Sequence, residues 1–99
     1  MPLTGPLCRA ARALIQWSRE ELARDSGVSV ATIAALEIGR EIPADDVLHK
    51  LQAAMEEGGA VFIPENGGGV GVRLRFNSRE VRALGKWEGE GGHPGEDDV

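Results

Sequence analysis

Apolar residues recur every three or four positions through most of residues 1–57, which is the spacing of amphipathic helices. The first stripe predicts a helix from about Leu7 to Trp17, and its members are Leu7, Ala11, Leu14 and Ile15. The last stripe predicts a helix that begins at Pro43 and stops at the pair Gly58-Gly59. Its buried residues are Val47, Leu48, Leu51, Ala54 and Met55.

Between these helices, residues 18–39 predict two short helices joined by a tight turn. Gly27 stands where the first must end, because glycine adopts the left-handed conformation of a helix C-terminus without a Cβ penalty. Ser18 and Ser29 occupy N-cap positions, and Glu21 completes a capping box with Ser18. The inward positions are Leu22, Ala23, Val28, Ile33 and Leu36. This layout predicts a helix-turn-helix.

After residue 58 the pattern changes from helical spacing to alternation. The alternating apolar residues up to Phe76 predict a strand, and Ala60 to Ile63 form a short apolar run before it. Residues 58–76 therefore predict a β-hairpin with a Gly-rich loop. A lone hairpin is marginal in water, so we expect it to pair with the same hairpin of a second subunit. The expected contact residues are Val61, Phe62, Ile63, Val70, Val72 and Leu74.

The two ends of the chain differ from its middle in composition. Residues 1–6 contain two prolines and a glycine and predict a flexible arm, with Thr4 capping the first helix. Residues 77–87 predict a short helix, and residues 88–99 predict a disordered acidic tail. Residues 1–87 hold all 11 Lys and Arg and 11 of the 16 Asp and Glu, so the net charge of −5 comes from this tail. Net charge therefore says little about the rest of the surface.

The motif SxEELAxxSGVSxxTIxxLExG, followed by Pro43 and an apolar helix, resembles the lambda-repressor and Cro-like helix-turn-helix proteins, known as the XRE family. The resemblance covers roughly residues 7–57. It implies a mainly α fold, a bundle of four to five helices, which the hairpin then follows. It also implies binding of double-stranded DNA in the major groove.

By this resemblance, the N-terminal part of the second motif helix faces the bases. The matching positions are Ser29, Val30, Ala31, Thr32 and Ala35. Family members often carry glutamine, serine, asparagine or arginine where this chain has Val30, Ala31 and Ala35, and such side chains read base edges through hydrogen bonds. The apolar groups here can contact thymine methyls. We therefore expect weaker direct readout, or specificity carried by other residues and by DNA shape.

The resemblance also implies phosphate contacts at Ser18, Arg19 and Arg40, and a structural ion pair between Arg12 and Glu37. The alternative for Arg19 and Arg40 is that they are ordinary solvated charges that contact no phosphate. A second basic group follows in the hairpin and beyond it: Arg73, Arg75, Arg79 and Arg82. These residues either extend a contact to the DNA backbone or keep an edge strand soluble.

Other chemistries have little support in the sequence. The glycines at 67–71 lack the spacing of a nucleotide-binding loop, and Cys8, His49 and His93 are too scattered for a zinc site. No serine, cysteine or carboxylate pair forms a catalytic pattern with a histidine, so we expect a non-enzymatic protein with no cofactor. No apolar stretch approaches the roughly 20 residues of a membrane helix, and a single cysteine excludes an internal disulfide. We expect a cytoplasmic protein.

The leading hypothesis is a small transcriptional regulator of bacterial or phage type that binds DNA as a homodimer. The alternative is a protein-interaction module of the same fold, of antitoxin or anti-activator type, whose main partner is another protein. In either case the acidic tail can compete with phosphates for a basic surface.

Overall fold

A computed structural model describes residues 2–75, which form four helices followed by a two-stranded sheet. The helices are α1 (Gly5–Ile15), α2 (Arg19–Ser26), α3 (Val30–Glu37) and α4 (Asp45–Glu57). The antiparallel strands are β1 (Ala60–Ile63) and β2 (Gly71–Leu74). The predicted mainly α fold with a C-terminal hairpin is therefore confirmed. The helix predicted at 77–87 and the tail predicted at 88–99 lie outside the described residues.

Helix α1 begins and ends earlier than the sequence predicts. The Thr4 hydroxyl accepts a hydrogen bond from Leu7 N at 3.3 Å, and Pro6 lies in the first turn, where a missing N–H costs nothing. The chain leaves the helix at Gln16, whose backbone is left-handed with φ of +60°. Leu3 is only 3% exposed, so this part of the predicted arm packs on the core because it carries a large apolar side chain.

One hydrophobic core joins the four helices and the hairpin. Its completely buried large side chains are Cys8, Leu22, Ile33, Leu51 and Met55. In α1, Leu14 belongs to the apolar stripe that predicts the helix, but its side chain lies at the edge of the core and is 38% exposed. The helix instead turns Cys8 inward, in line with Leu7, Ala11 and the half-buried Ile15.

The helix-turn-helix has the local chemistry that the sequence predicts. Ser18 Oγ accepts from Glu21 N at 3.0 Å, and Ser18 N donates to Glu21 Oε1 at 2.7 Å, which completes the capping box. Gly27 ends α2 with φ of +79°, a conformation that favours glycine. Ser29 Oγ then caps α3 by accepting from Thr32 N. These bonds fix both helix starts and the turn between them.

Helix α4 starts at Asp45, two residues after the predicted start at Pro43. Ala44 occupies the N-cap position and makes no side-chain capping bond. Asp45 and Asp46 place negative charge in the first turn, where it interacts favourably with the helix dipole. The helix ends at Gly58, as predicted.

Glycines at two positions allow elements to approach closely. A Cβ on Gly5 would collide with the carbonyl oxygen of Leu36 and lie 3.2 Å from the Cα of Glu37. A Cβ on Gly58 would lie 2.7 Å from Cζ2 of Trp17. The first contact lets α1 cross the end of α3, and the second seats the indole ring at the junction of α4 and β1.

The hairpin has one face on the helical domain. Its register pairs Ala60 with Leu74, Phe62 with Val72, and Ile63 with Gly71. Directly opposite residues share a face of the sheet. Phe62 and Val72 pack against the core, so their face is the inner one, and the outer face carries Val61, Ile63, Gly71 and Arg73.

Candidate nucleic-acid interface

The start of α3 is exposed to solvent on one side and packed on the other. Ser29, Val30 and Ala31 are exposed, with Val30 at 36%, whereas Ile33 on the opposite side is completely buried. Two further residues predicted to face the bases, Thr32 and Ala35, are half-buried. We call the set Ser29, Val30, Ala31 and Thr32 the α3 strip. Because the inner side of α3 is packed in the core, the strip is held on a rigid support.

The two hydroxyl groups of the α3 strip are bound to each other. Ser29 Oγ accepts from Thr32 N at 3.1 Å and donates to Thr32 Oγ1 at 2.9 Å. The Thr32 hydroxyl keeps its own hydrogen for an external acceptor. The strip therefore presents two small apolar side chains and one hydroxyl hydrogen to a ligand.

The opposite end of α3 carries a buried carboxylate. The side chain of Glu37 has 0% exposed surface. Arg12 binds it with two parallel bonds of 2.8 Å, from Nε to Oε2 and from Nη2 to Oε1. Arg19 Nε donates to Oε1 at 2.9 Å. Paired bonds between charged groups of this kind are short and geometrically specific.

Hydrogen bonding keeps this carboxylate ionised. Burial acts to raise the pKa of Glu37, but hydrogen bonds from Arg12, Cys8 and Arg19 outweigh it and hold the pKa below its ordinary value. The hydrogen bond to Glu37 also raises the pKa of Arg12. Burial, followed by the hydrogen bond to Glu37, raises the pKa of Cys8 to about 12. The Glu37 network therefore joins one carboxylate, two guanidinium groups and a neutral thiol.

The sequence indicated the pair Arg12 and Glu37 but missed the other members of this network. Arg9 Nη1 donates to the backbone carbonyl of Glu37 at 2.9 Å, and Arg12 Nη1 donates to that of Trp17 at 3.0 Å. Cys8 and Arg12 are four residues apart on a predicted helix, so they share a face. That spacing is the one signal in the sequence that could have linked the thiol to the ion pair.

The three residues predicted to bind phosphates differ in their availability. The amide of Ser18 is bound to Glu21 Oε1, so the capping box occupies one of the two donors of this residue. Arg19 uses Nε for Glu37, which leaves its two Nη groups on a side chain that is 36% exposed. Arg40 is exposed in the loop after α3. All three phosphate contacts thus remain predictions, with the Ser18 hydroxyl hydrogen as the donor that its capping bonds leave available.

The helices that precede and follow α3 in the chain both begin with acidic side chains. The first turn of α2 carries Glu20 and Glu21, and the first turn of α4 carries Asp45 and Asp46. The surface next to α3 is therefore of mixed charge rather than a basic stripe. Such a surface gives weak steering toward DNA, so binding depends on a few well-placed contacts.

Both described arginines of the hairpin contact carbonyl groups of their own chain. Arg73 Nη1 donates to the carbonyl of Leu74 at 3.1 Å. Arg75 Nη1 donates to the carbonyl of Glu56 at 3.1 Å, close to the end of α4. Arg75 therefore holds the hairpin on α4, because helix-terminal carbonyls lack partners within the helix. Arg79 and Arg82 lie outside the described residues.

Comparison with known proteins supports the assignment that the motif indicates. A helix-turn-helix family model matches residues 9–58, just over half of the chain. A comparison with curated proteins finds no significant match. Between residues 2 and 75, no helix combines the length and hydropathy that crossing a bilayer requires. The chain belongs to the XRE or lambda-repressor-like helix-turn-helix family, a family of DNA-binding regulators.

Proposed function

We propose that the chain is a transcriptional regulator that binds duplex DNA as a homodimer, with the α3 strip in the major groove. The observation that carries the proposal is the exposure of Ser29, Val30 and Ala31 at the start of a helix whose other side is buried. A recognition helix needs this combination, because its first turn must enter the groove while the rest of the domain holds its orientation.

Two arginines are the candidates for positioning the domain on the DNA backbone. The Nη groups of Arg19 project from the start of α2, and its Nε bond to Glu37 restricts the side chain. Arg40 follows α3 and is exposed. Phosphate contacts on both sides of a recognition helix set its register without reading sequence. With so few cations, we expect binding to have a shallow salt dependence.

The outer face of the hairpin supports a dimer contact smaller than the sequence predicted. Phe62 and Val72 pack on the chain's own core and are removed from the proposed contact, and Leu74 shares their face. Val61 and Ile63 remain, with the 52% exposed Val70 in the adjoining loop. Among the described residues, β1 and β2 pair only with each other, so their outer edges are open to a second hairpin. A twofold dimer would hold two α3 helices about 34 Å apart on a pseudo-palindromic site.

Selection of bound sequences from a random duplex pool tests the DNA proposal. The full chain is immobilised, bound duplexes are amplified through several rounds, and enrichment is read by sequencing. We expect a palindromic motif whose half-sites are centred about one helical turn apart. A pool that stays random after selection would reject sequence-specific DNA binding.

Sedimentation equilibrium tests the dimer separately. We expect the mass of two chains for the wild type and a shift toward one chain for Val61→Lys, because two lysines would then face each other across the symmetric contact. Ala53→Lys, which adds the same charge to an exposed position of α4, serves as the control and should keep the dimer mass. An unchanged mass for Val61→Lys would remove the hairpin from the interface.

A protein-interaction module is the second candidate, favoured by one observation. Ile38 and Ile42 are 60% and 86% exposed beside a groove of about 650 Å³ between the N-terminal segment and the start of α4. Exposed apolar side chains next to a concave surface are typical of protein contacts. Failure of the duplex selection, with the fold intact, would favour this candidate.

A further inference from the structure

The α3 strip lacks the long polar side chains that read bases through paired hydrogen bonds. Helix α3 contains no asparagine, glutamine, lysine or arginine, which are the side chains that make paired hydrogen bonds to adenine and guanine. The polar members of the strip, Ser29 and Thr32, are joined to each other by the two hydrogen bonds at the N-terminal cap of the helix. Apart from the hydroxyl hydrogen of Thr32, the groups left to meet a base edge are the methyl groups of Val30 and Ala31.

We propose that Val30 and Ala31 recognise the C5-methyl groups of pyrimidines in the major groove. This inference rests on the proposed function, since it requires the start of α3 to lie in that groove. The thymine methyl is the apolar feature of the base-pair edges exposed there. Burying it against another apolar group is favourable, whereas a base edge with unpaired donors or acceptors would lose water without compensation.

Recognition of this kind reads a methyl group rather than a hydrogen-bonding pattern. Thymine and 5-methylcytosine carry the methyl group at the same ring position, and uracil and cytosine lack it. The protein should therefore distinguish methylated from unmethylated cytosine at the positions that face Val30 and Ala31. The ligand class that follows is duplex DNA with methylated pyrimidines at defined positions of each half-site.

The test uses the duplex with the highest affinity from the selection experiment and the full chain. Each thymine is replaced in turn by uracil, and binding is measured by fluorescence anisotropy. Uracil should weaken binding about fourfold at one or two positions of each half-site, since that is the effect of one methyl group taken from a buried contact. At those positions, 5-methylcytosine paired with guanine should bind about fourfold more tightly than unmodified cytosine.

A variant identifies the side chain that reads the methyl group. In Val30→Ser the uracil penalty should disappear at the position that Val30 contacts, whereas Leu14→Ser, at a similarly exposed apolar residue of α1, should keep every penalty in full. Sequence-specific binding with no uracil penalty at any position would overturn this inference and leave the proposed function standing. A duplex pool without enrichment would overturn both, so the two failures are distinguishable.

Discussion

The two ends of α3 differ in almost every physical property. At the N-terminal end, the α3 strip carries no charge, and three of its four residues are exposed. At the C-terminal end, Glu37 is buried, ionised and bound by Arg12, Arg19 and Cys8. The Glu37 end joins α1, α2 and α3, while the side-chain hydrogen bonds of the strip join Ser29 and Thr32 to each other. The difference separates positions that maintain the fold from positions that are available to a ligand.

This separation has a consequence for how substitutions act. A change in the Glu37 network alters packing and charge pairing between three helices, so its main effect falls on stability. A change in the strip removes little buried surface, so its main effect falls on binding.

The largest stability effect is expected for Glu37→Ala. The substitution leaves two partly buried guanidinium groups without their carboxylate, which costs about 3 to 5 kcal/mol in the free energy of unfolding. For a domain of this size, about 3 kcal/mol lowers Tm by roughly 12 to 24 °C. Thermal unfolding followed by circular dichroism measures the shift, with Glu41→Ala in the exposed loop as the matched control. Equal Tm values for the two variants would show that the network has no structural role.

A smaller loss is expected for Gly5→Ala at the crossing of α1 and α3. The new Cβ meets the carbonyl oxygen of Leu36, a backbone atom that cannot rotate away, so α1 must shift at a cost of about 1 to 3 kcal/mol. Gly68→Ala is the control, because its Cβ would lie 3.6 Å from the nearest atom, an ordinary contact. Urea unfolding of both variants checks the prediction. Matching midpoints would mean that the two helices are not packed this closely.

Lowering the pH should weaken the same end of α3. Because the folded-state pKa of Glu37 lies below its ordinary value of 4.5, the ionised carboxylate contributes stability that is fully present above that pH. This contribution is lost as the pH falls from 4.5 through the lowered folded-state pKa. The stability difference between wild type and Glu37→Gln should therefore shrink over this range in urea titrations. A constant difference would show that Glu37 titrates normally.

The smallest effect is expected at the exposed cation after α3. Arg40→Ala should weaken DNA binding to a similar extent for all sequences and reduce the slope of log K against log salt by about 1 for each subunit, because one phosphate contact is lost. Anisotropy titrations at several salt concentrations measure both quantities. Arg24→Ala, which removes an exposed charge from the last turn of α2, provides the comparison. A slope that does not change would place Arg40 away from the backbone.

Local chemistry explains why the sequence predicted some features and missed others. The capping box at Ser18, the left-handed Gly27 and the cap at Ser29 each depend on neighbouring residues, so a short motif is enough to identify them. The contacts of Arg9 and Arg19 with Glu37 join residues 28 and 18 positions apart. Such contacts depend on how the helices cross.

The rotation of α1 about its own axis also depends on how the helices cross, so the sequence alone does not predict it. Helical spacing placed Leu14 in the apolar stripe of α1, yet this residue is 38% exposed, whereas Cys8 is completely buried. The close approach of Gly5 to α3 sets part of that packing, and no periodicity along α1 records it.

The candidate site was predicted from the sequence only in part. The sequence identified the apolar character of Val30 and Ala31, but the mutual hydrogen bond between Ser29 and Thr32 became apparent only from the side-chain geometry.

The role of α3 as the recognition helix is tested most directly by the DNA affinity of Val30→Asp, measured by anisotropy on the selected duplex together with the Tm of the variant. An aspartate at the first position of α3 interacts favourably with the helix dipole, so the fold should keep its stability. The same carboxylate would face the bases and phosphates of the groove, and we expect affinity to fall by about 100-fold or more. Leu14→Asp on α1 should leave affinity unchanged. Wild-type affinity for Val30→Asp would contradict the assignment of α3 as the helix that reads DNA.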